Sequence, residues 1–299
     1  MGIMKRAFGL DIWNIGLTSD LDRLMEKGEW GDILWRTDPG PLRFLADPVG
    51  VYEDEAGDTR LLIEELSHWT NRGRIASVPL NENFQDAPLR IEIEDNLHLS
   101  YPFTVRREDG IHLFPECGTS GHLKHYRFEK GRWTEEPDPL LEEPVIDPTF
   151  WEQDGLWYLF YTRADRGPNA RLFLQTARSF EGPWTPHPAF PCLIGPAGAR
   201  PAGPLFSWKG RLFRPSQDCS DSYGGGIIIN EIEQLSTTEW RETVFQRLDQ
   251  PPGIYDVGLH TFFTFDNHLI IDAKRVSYGV LAPIIKTRNL TRHLVRKAF

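Results

Sequence analysis

A single five-bladed β-propeller is the fold class that the sequence predicts, on three observations. A strand unit recurs five times along the 299 residues. Tight-turn signals sit inside the copies, and helix-forming stretches are scarce. Repeats of this kind mark units that bury their apolar faces only against their neighbours.

The unit is an apolar pair, a polar residue, proline, a strand, a tight turn, and an aromatic-rich strand. The first copy is Leu45-Ala46-Asp47-Pro48, with a turn near Gly57 and a second strand at Leu61-Leu62-Ile63. The second is Ser100-Tyr101-Pro102-Phe103, turning at Asp109-Gly110 into Ile111–Phe114. The third is the clearest, with Ile146-Asp147-Pro148-Thr149-Phe150-Trp151, a turn at Asp154-Gly155 and then LWYLFYT. The fourth runs through Ala202-Gly203-Pro204-Leu205-Phe206 and turns at Lys209-Gly210. The fifth lacks the proline: Leu259-His260-Thr261-Phe262-Phe263, turning at Asp266-Asn267.

Positions 47, 101, 147, 203 and 260 are 54, 46, 56 and 57 residues apart, near the spacing of about 40–50 residues typical of four-stranded blades. Asp-Gly and Asp-Asn pairs suit hairpin turns because they tolerate positive φ. GRIASVPL, GHLKHYRFEKGRW, ARLFLQTA and GGGIIINEI supply candidate outer strands. The run 7–17 is a candidate strand of the last blade that closes the ring. An open β-sandwich is the rival architecture. One short helix is expected over 19–27, capped by Ser19 or Asp20.

The innermost strand of a propeller blade runs along the central channel. If each unit begins there, Asp47, Tyr101, Asp147, Gly203 and His260 form a ring. Proline at the start of a strand loses no ladder hydrogen bond. Its ring steers the preceding residue toward an extended conformation. Asp-Pro is also an ordinary turn signal, but two aspartates at one place in two repeats point to a shared task. Like charges brought together raise one another's pKa, which suits acid–base chemistry. Glycosidases generally use two carboxyls flanking the scissile bond.

The ends of the second strands add Glu65, Glu116, Arg163, Asp218 and Asp272. Of these, Glu116 in FPECG and Asp218 in RPSQDCSDSYGGG lie among turn formers near the expected mouth. Arg200 and Arg214 flank the fourth unit and suit a carboxylate or phosphate partner. His260 fits a packed channel histidine, a sugar contact or a site near a bound ion such as calcium. Trp151, Trp157, Trp184 and Tyr223 are either blade core or sugar-stacking platforms.

Forty-three acidic against 33 basic residues give a net charge of −10 and no basic stripe for nucleic acid. Cys117, Cys192 and Cys219 are too few and too scattered for a disulfide framework or a zinc site. No metal or cofactor is therefore assigned. The opening MGIMKRAFGLDIWNIGL lacks a signal-peptide core, and no 18-residue apolar run suggests a membrane span. A cytoplasmic protein is the default expectation.

The pattern LADP, LSYPF with FPE, VIDPTFWEQDGLWYLFYT, ARPAGPLFSWKGRLFRPSQD, YGGGIIINEI and GLHTF resembles the N-terminal propeller domain of plant glucosamine inositolphosphorylceramide transferases and its bacterial relatives. The resemblance runs from about Phe44 to Asp272. More remotely, the chain is similar to the five-bladed glycosidase superfamily of arabinanases, β-xylosidases and invertases. That similarity implies a general base at Asp47, a pKa-tuning aspartate at Asp147 and a central histidine at His260. It also implies a general-acid glutamate in the fourth unit, where Ala202 stands instead. Glu116, Asp218 and Glu231 are the candidate replacements.

Two functions follow as expectations. One is a glycoside hydrolase-like protein acting on or transferring a glycosyl unit, with Asp47, Asp147 and Glu116 catalytic. Tyr101, Arg200, Asp218, Tyr223 and His260 would then contact a saccharide or sugar-phosphate ligand. The other is a non-catalytic carbohydrate-binding module that assists a separate glycosyltransferase. A purely structural platform is a third, weaker reading.

Overall fold

The computed structural model describes residues 8–298, with side chains as far as Thr291. Five antiparallel sheets form the five blades of a propeller. The first blade consists of Arg43–Glu53, Thr59–Ser67, Arg72–Pro79 and Arg90–Ile93. The second is Ser100–Arg107, Gly110–Glu116, Tyr126–Glu129 and Arg132–Glu135. Val145–Gln153, Leu156–Arg163 and Arg171–Ala177 form the third, edged by Thr185–Pro186 and Leu193–Ile194. In the fourth, Ala197–Pro201 and Phe206–Trp208 both pair with Arg211–Asp218, followed by Ile227–Leu235 and Trp240–Leu248.

The fifth blade joins the two ends of the chain. Gly258–Phe265 and His268–Tyr278 are its inner strands, and Gly9–Thr18 is the third. That N-terminal strand pairs from Gly9↔Tyr278 to Thr18↔Leu269 without a break. Leu34–Trp35 forms the short outer edge. Ala7, the first residue of the expected strand, lies outside the described residues.

The core lies between blades rather than within one layer. Tyr52, Leu62 and Ile75 of the first blade meet Leu99, Leu113 and Tyr126 of the second. Phe103 and Phe114 meet Phe150, Leu159 and Phe173 across the next seam. The remaining seams are filled in the same way. Trp151, Trp157 and Trp184 belong to these seams, so they are core rather than sugar platforms. All three cysteines are free thiols.

The short helix runs Leu21–Lys27, two residues inside the expected 19–27. Asp20 precedes it without a side-chain cap, and Gly28 ends it at φ +70°, donating its N–H to the Leu24 carbonyl. Leu24 and Met25 pack on the fourth and fifth blades. A second helix, Ala282–Ala298, was not anticipated. Its buried Ala282 and Ile285 sit on Leu10 and Ile12, but its start carries no cap signal to read in sequence. No helix among the described residues is long and apolar enough to cross a membrane.

Four of the five inner strands break register where the ring residues stand, and in the fourth blade Gly203 lies between the separate strands Ala197–Pro201 and Phe206–Trp208. Pairing jumps between Ala46 and Gly50, Ser100 and Phe103, Ile146 and Thr149, and Leu259 and Thr261. Proline is tolerated at such bulges because no ladder N–H is needed there. The residues before it are not extended, contrary to the steric expectation. Asp47, Tyr101 and Asp147 have φ of +53°, +44° and +49°, and Gly203 has φ +143°. The bulge must absorb unpaired residues, and a left-handed residue does so by folding the chain back on itself. A β-carbon on Gly203 would overlap the Phe262 carbonyl of the next blade. Gly203→Ala is therefore expected to destabilise the fold by about 3 kcal/mol or more, read by chemical denaturation.

Candidate active site

The bulges aim side chains and amides at the channel axis. The Asp47 N–H donates to Asp272 Oδ2 at 2.8 Å, from the first blade to the fifth. The Tyr101 N–H donates to Asp47 Oδ2 at 3.1 Å, from the second blade to the first. The Tyr101 hydroxyl shares a hydrogen bond with Thr149 Oγ1 of the third blade at 2.8 Å. Asp47, Tyr101, Asp147 and His260 are all buried, so four of the five predicted ring members form one floor with Asp272.

Asp272 fixes His260. Its Oδ1 lies 2.6 Å from His260 Nδ1 and accepts the backbone N–H groups of His260 and Thr261. The opposite ring nitrogen, Nε2, lies 3.5 Å from Asp47 Oδ1. Trp13 of the N-terminal strand stacks on the imidazole at 3.9 Å, and Tyr223 meets it edge-on at 5.3 Å. Burial lowers the pKa of His260, but Asp272 and Asp47 outweigh it and the net shift is upward. An imidazolium bridging two carboxylates is the arrangement this favours.

Donor atoms of Asp47, His260 and Asp272 lie within 4.8 Å of one another. A divalent ion does not suit them as they stand. Asp272 Oδ1 already takes three hydrogen bonds and Oδ2 a fourth, and His260 Nδ1 is itself committed to Oδ1. The geometry assigns Asp272 to orienting the histidine and the first-blade bulge.

Arg200 organises the other half of the floor. Its Nε and Nη2 reach Asp147 at 2.6 and 3.2 Å, Nη2 also reaches Glu116 at 3.1 Å, and Nη1 reaches Asn169 at 3.0 Å. Gln217 adds a further donor to Asp147 Oδ2 at 3.2 Å. The guanidinium lies 4.9 Å from the ring centre of Tyr223, which keeps 40% of its surface open. Burial raises the pKa of Asp147 well above the carboxylate range; Arg200 opposes this and Glu116 adds to it. Burial likewise raises Asp47, to about 7, with His260 pulling it down and Asp272 and Asp147 pushing it up.

Other candidates point elsewhere. Asp218 turns to Arg247 at 2.6 Å, and Glu231 pairs with Arg211 on the exterior. Arg214 is held by Glu242 and the Gly198 carbonyl inside the fourth blade. Arg163 pairs with Asp165 and Glu143. Glu65 faces Arg74 and Arg43, away from the channel.

Its neighbour Glu64 lies on the channel side, with Asp47, Glu116 and Asp272 as its strongest charged neighbours. Adjacent strand residues face opposite ways, so a one-residue slip exchanges the two glutamates. Register finds the right one. Glu64 pairs with Ala46 just before Asp47, as Glu116 pairs with Ser100 just before Tyr101. Gln217 and Asn169 left no comparable signal.

Residues 37–251 match the family model described as glucosamine inositolphosphorylceramide transferase 1, N-terminal. The chain belongs to that family. The relative of that name from Oryza sativa subsp. indica is 36% identical over 211 residues, covering 68% of this chain and 28% of its own length. The Arabidopsis thaliana relative is 33% identical over 211 residues, covering 68% and 27%. The matched part thus spans little more than a quarter of these curated relatives. Among solved structures, a family 117 glycoside hydrolase from Zobellia galactanivorans aligns with TM-score 0.50 and 12% identity, over 78% of this chain and 84% of that one. The catalytic domain of a Coprinopsis cinerea GH62 α-L-arabinofuranosidase aligns with TM-score 0.50 and 12% identity, over 77% and 76%. At these identities the likeness is one of fold.

Two outcomes follow for this central site. Arg200→Met strands Asp147 and Glu116 without their cation, so unfolding free energy is expected to drop by about 3–5 kcal/mol in urea titration. Asp47 binds its proton more tightly folded than unfolded. Its contribution to stability is full below about pH 4 and is lost as pH rises through about 7. In Asp47→Asn that loss disappears, flattening the melting temperature between pH 5 and 8 relative to the unmodified chain.

Proposed function

We propose that the channel mouth binds a saccharide and acts at its glycosidic bond, with Asp47 as general base. The observation that carries this reading is the state of Asp47. It is a buried carboxyl poised near pH 7, held by a neighbour's amide and facing an aspartate-oriented histidine. Such a group takes a proton from an attacking water at neutral pH. Asp147, clamped by Arg200, acts as the second carboxyl that tunes Asp47 by its charge. Tyr223 and Arg200 offer an aromatic face and a cation at the rim. The relatives' name makes glucosamine- and inositol-phosphate-bearing glycans the first ligands to test.

A second reading has its own support. Ala202 is fully buried where the glycosidase-type acid is expected. Curated relatives devote nearly three quarters of their length to segments outside the match. A recognition module that presents a glycan to another catalytic unit fits both facts.

The two readings part in one experiment. Incubation with a panel of methyl and aryl glycosides, together with calorimetric binding of the same sugars, separates turnover from mere association. The catalytic reading expects product from the unmodified chain and a loss of at least about 100-fold in Asp47→Asn with sugar binding retained. It also expects the rate to rise with pH through about 7 as Asp47 ionises. Binding without product on any sugar favours the module.

A further inference from the structure

We propose that Glu64 is the proton donor of this site, a carboxylic acid in the first blade that takes over the task of the glutamate missing at position 202. The inference rests on the catalytic reading above and adds the residue that reading lacks.

Among the described residues no lysine or arginine reaches the Glu64 carboxyl. The side chain is 6% exposed, and its Oε1 is buried without a hydrogen-bond partner. Its strongest charged neighbours come from three blades. Asp47 and Glu65 lie in the first blade, Glu116 in the second and Asp272 in the fifth, and all are acidic. The residue closest to a counter-charge is His98, whose Nε2 lies 3.3 Å from Glu64 Oε1. Its other nitrogen, Nδ1, accepts the Gly73 N–H at 2.9 Å, which fixes it as the unprotonated one. The imidazole is therefore neutral, and burial lowers its pKa to about 4. A buried carboxyl with acidic neighbours and no cation keeps its proton. Burial and these neighbours accordingly raise the pKa of Glu64 well above its usual value.

The surroundings leave room for this group. A β-carbon on Gly73 would overlap Glu64 Oε1 and the Leu99 carbonyl. Glycine at 73 thus vacates the space that Glu64 and His98 occupy. The same register position in the second blade holds Glu116, which has Arg200 as its partner. Two equivalent carboxyls beside one channel therefore stand in opposite electrostatic settings.

The chemistry balances with water as co-reactant. The bond between the anomeric carbon and the leaving oxygen breaks, and its electron pair goes to that oxygen. Glu64 gives its proton to the oxygen, so the leaving group departs as a neutral alcohol and Glu64 becomes a carboxylate. Water attacks the anomeric carbon and loses its proton to ionised Asp47. One proton leaves Glu64 and one arrives at Asp47, so the site resets by returning a proton through solvent.

Two measurements on the full chain decide the matter. In carbon-13 NMR of glutamate-labelled protein, one carboxyl carbon is expected to stay at the protonated shift above pH 6 and to vanish in Glu64→Gln. If every glutamate titrates between about pH 4 and 5, Glu64 does not hold the proton and the proposal falls. In kinetics, Glu64→Gln is expected to lose about 10²–10⁴-fold on a methyl glycoside, whose alcohol must leave protonated. On the matching 2,4-dinitrophenyl glycoside, whose phenolate leaves unaided, it should stay within about tenfold of the unmodified chain. Equal losses on both substrates, or none on either, overturn the donor role. If the unmodified chain turns over neither glycoside, the function and the donation fail together, and NMR alone decides where the proton sits. Glutamine keeps the shape of a neutral acid, so an unchanged melting temperature at pH 6 shows that the variant is folded.

Discussion

Asp47, Tyr101 and Asp147 take left-handed φ directly before proline, a conformation that costs about 1–2 kcal/mol for a residue with a side chain. Three such residues in equivalent places are not tolerated by accident. Each one ends regular pairing in its inner strand, where the register skips to the residues beyond the proline. In the first two blades the freed amide finds a carboxylate on the preceding blade: Asp47 reaches Asp272 and Tyr101 reaches Asp47. Charge-assisted hydrogen bonds of this kind offset the strain. The backbone choice thus serves two ends at once, joining blades at the axis and turning acidic side chains inward.

The second constraint is charge. Asp47, Glu64, Glu116, Asp147 and Asp272 share the channel with two cationic groups, Arg200 and His260. A low-dielectric interior does not hold five ionised carboxylates against two cations, so protons must remain. Where they remain is set by hydrogen bonding. Asp147 collects donors from Arg200 and Gln217. Asp272 collects donors from three backbone amides as well as lying on His260 Nδ1. Glu64 faces a neutral imidazole and has Oε1 unpartnered. The site is therefore graded rather than uniformly acidic, and that grading is what acid–base chemistry requires.

Much of this was legible in the chain itself. The five strand units, their spacing and their Asp-Gly turns gave the blades, because a hairpin must carry its turn chemistry locally. The residues before the prolines gave Asp47, Tyr101 and Asp147 as neighbours although they are 54 and 46 positions apart. What was lost depends on geometry that no local pattern encodes. Proline sterics argue for an extended predecessor, yet the bulge and its cross-blade hydrogen bond override them. Glu64 and Glu65 are both buried, so hydrophobic alternation cannot tell which faces the channel. Arg214 and Asp218 lie near the right strands, but their side chains are claimed by Glu242 and Arg247. The helix Ala282–Ala298 forms on tertiary contacts of Ala282 and Ile285 with the N-terminal strand, a partner more than 260 positions away.

The likeness of fold to glycoside hydrolases leaves the chemistry open, because a propeller fixes where side chains stand and not which of them hold protons. Ala202 illustrates the point. It is fully buried against the fourth and fifth blades, so a glutamate there would have to displace core rather than enter a vacant pocket. Restoring the glycosidase pattern by a single substitution would therefore bury a new carboxyl among apolar groups. The first blade solves the same problem differently. There a glycine at 73 clears the volume, His98 is held neutral by a backbone amide, and the carboxyl already lies beside Asp47. In the proposed pair the water that Asp47 deprotonates and the oxygen that Glu64 protonates lie on opposite faces of the sugar, so the reacting bond has to lie between the two side chains.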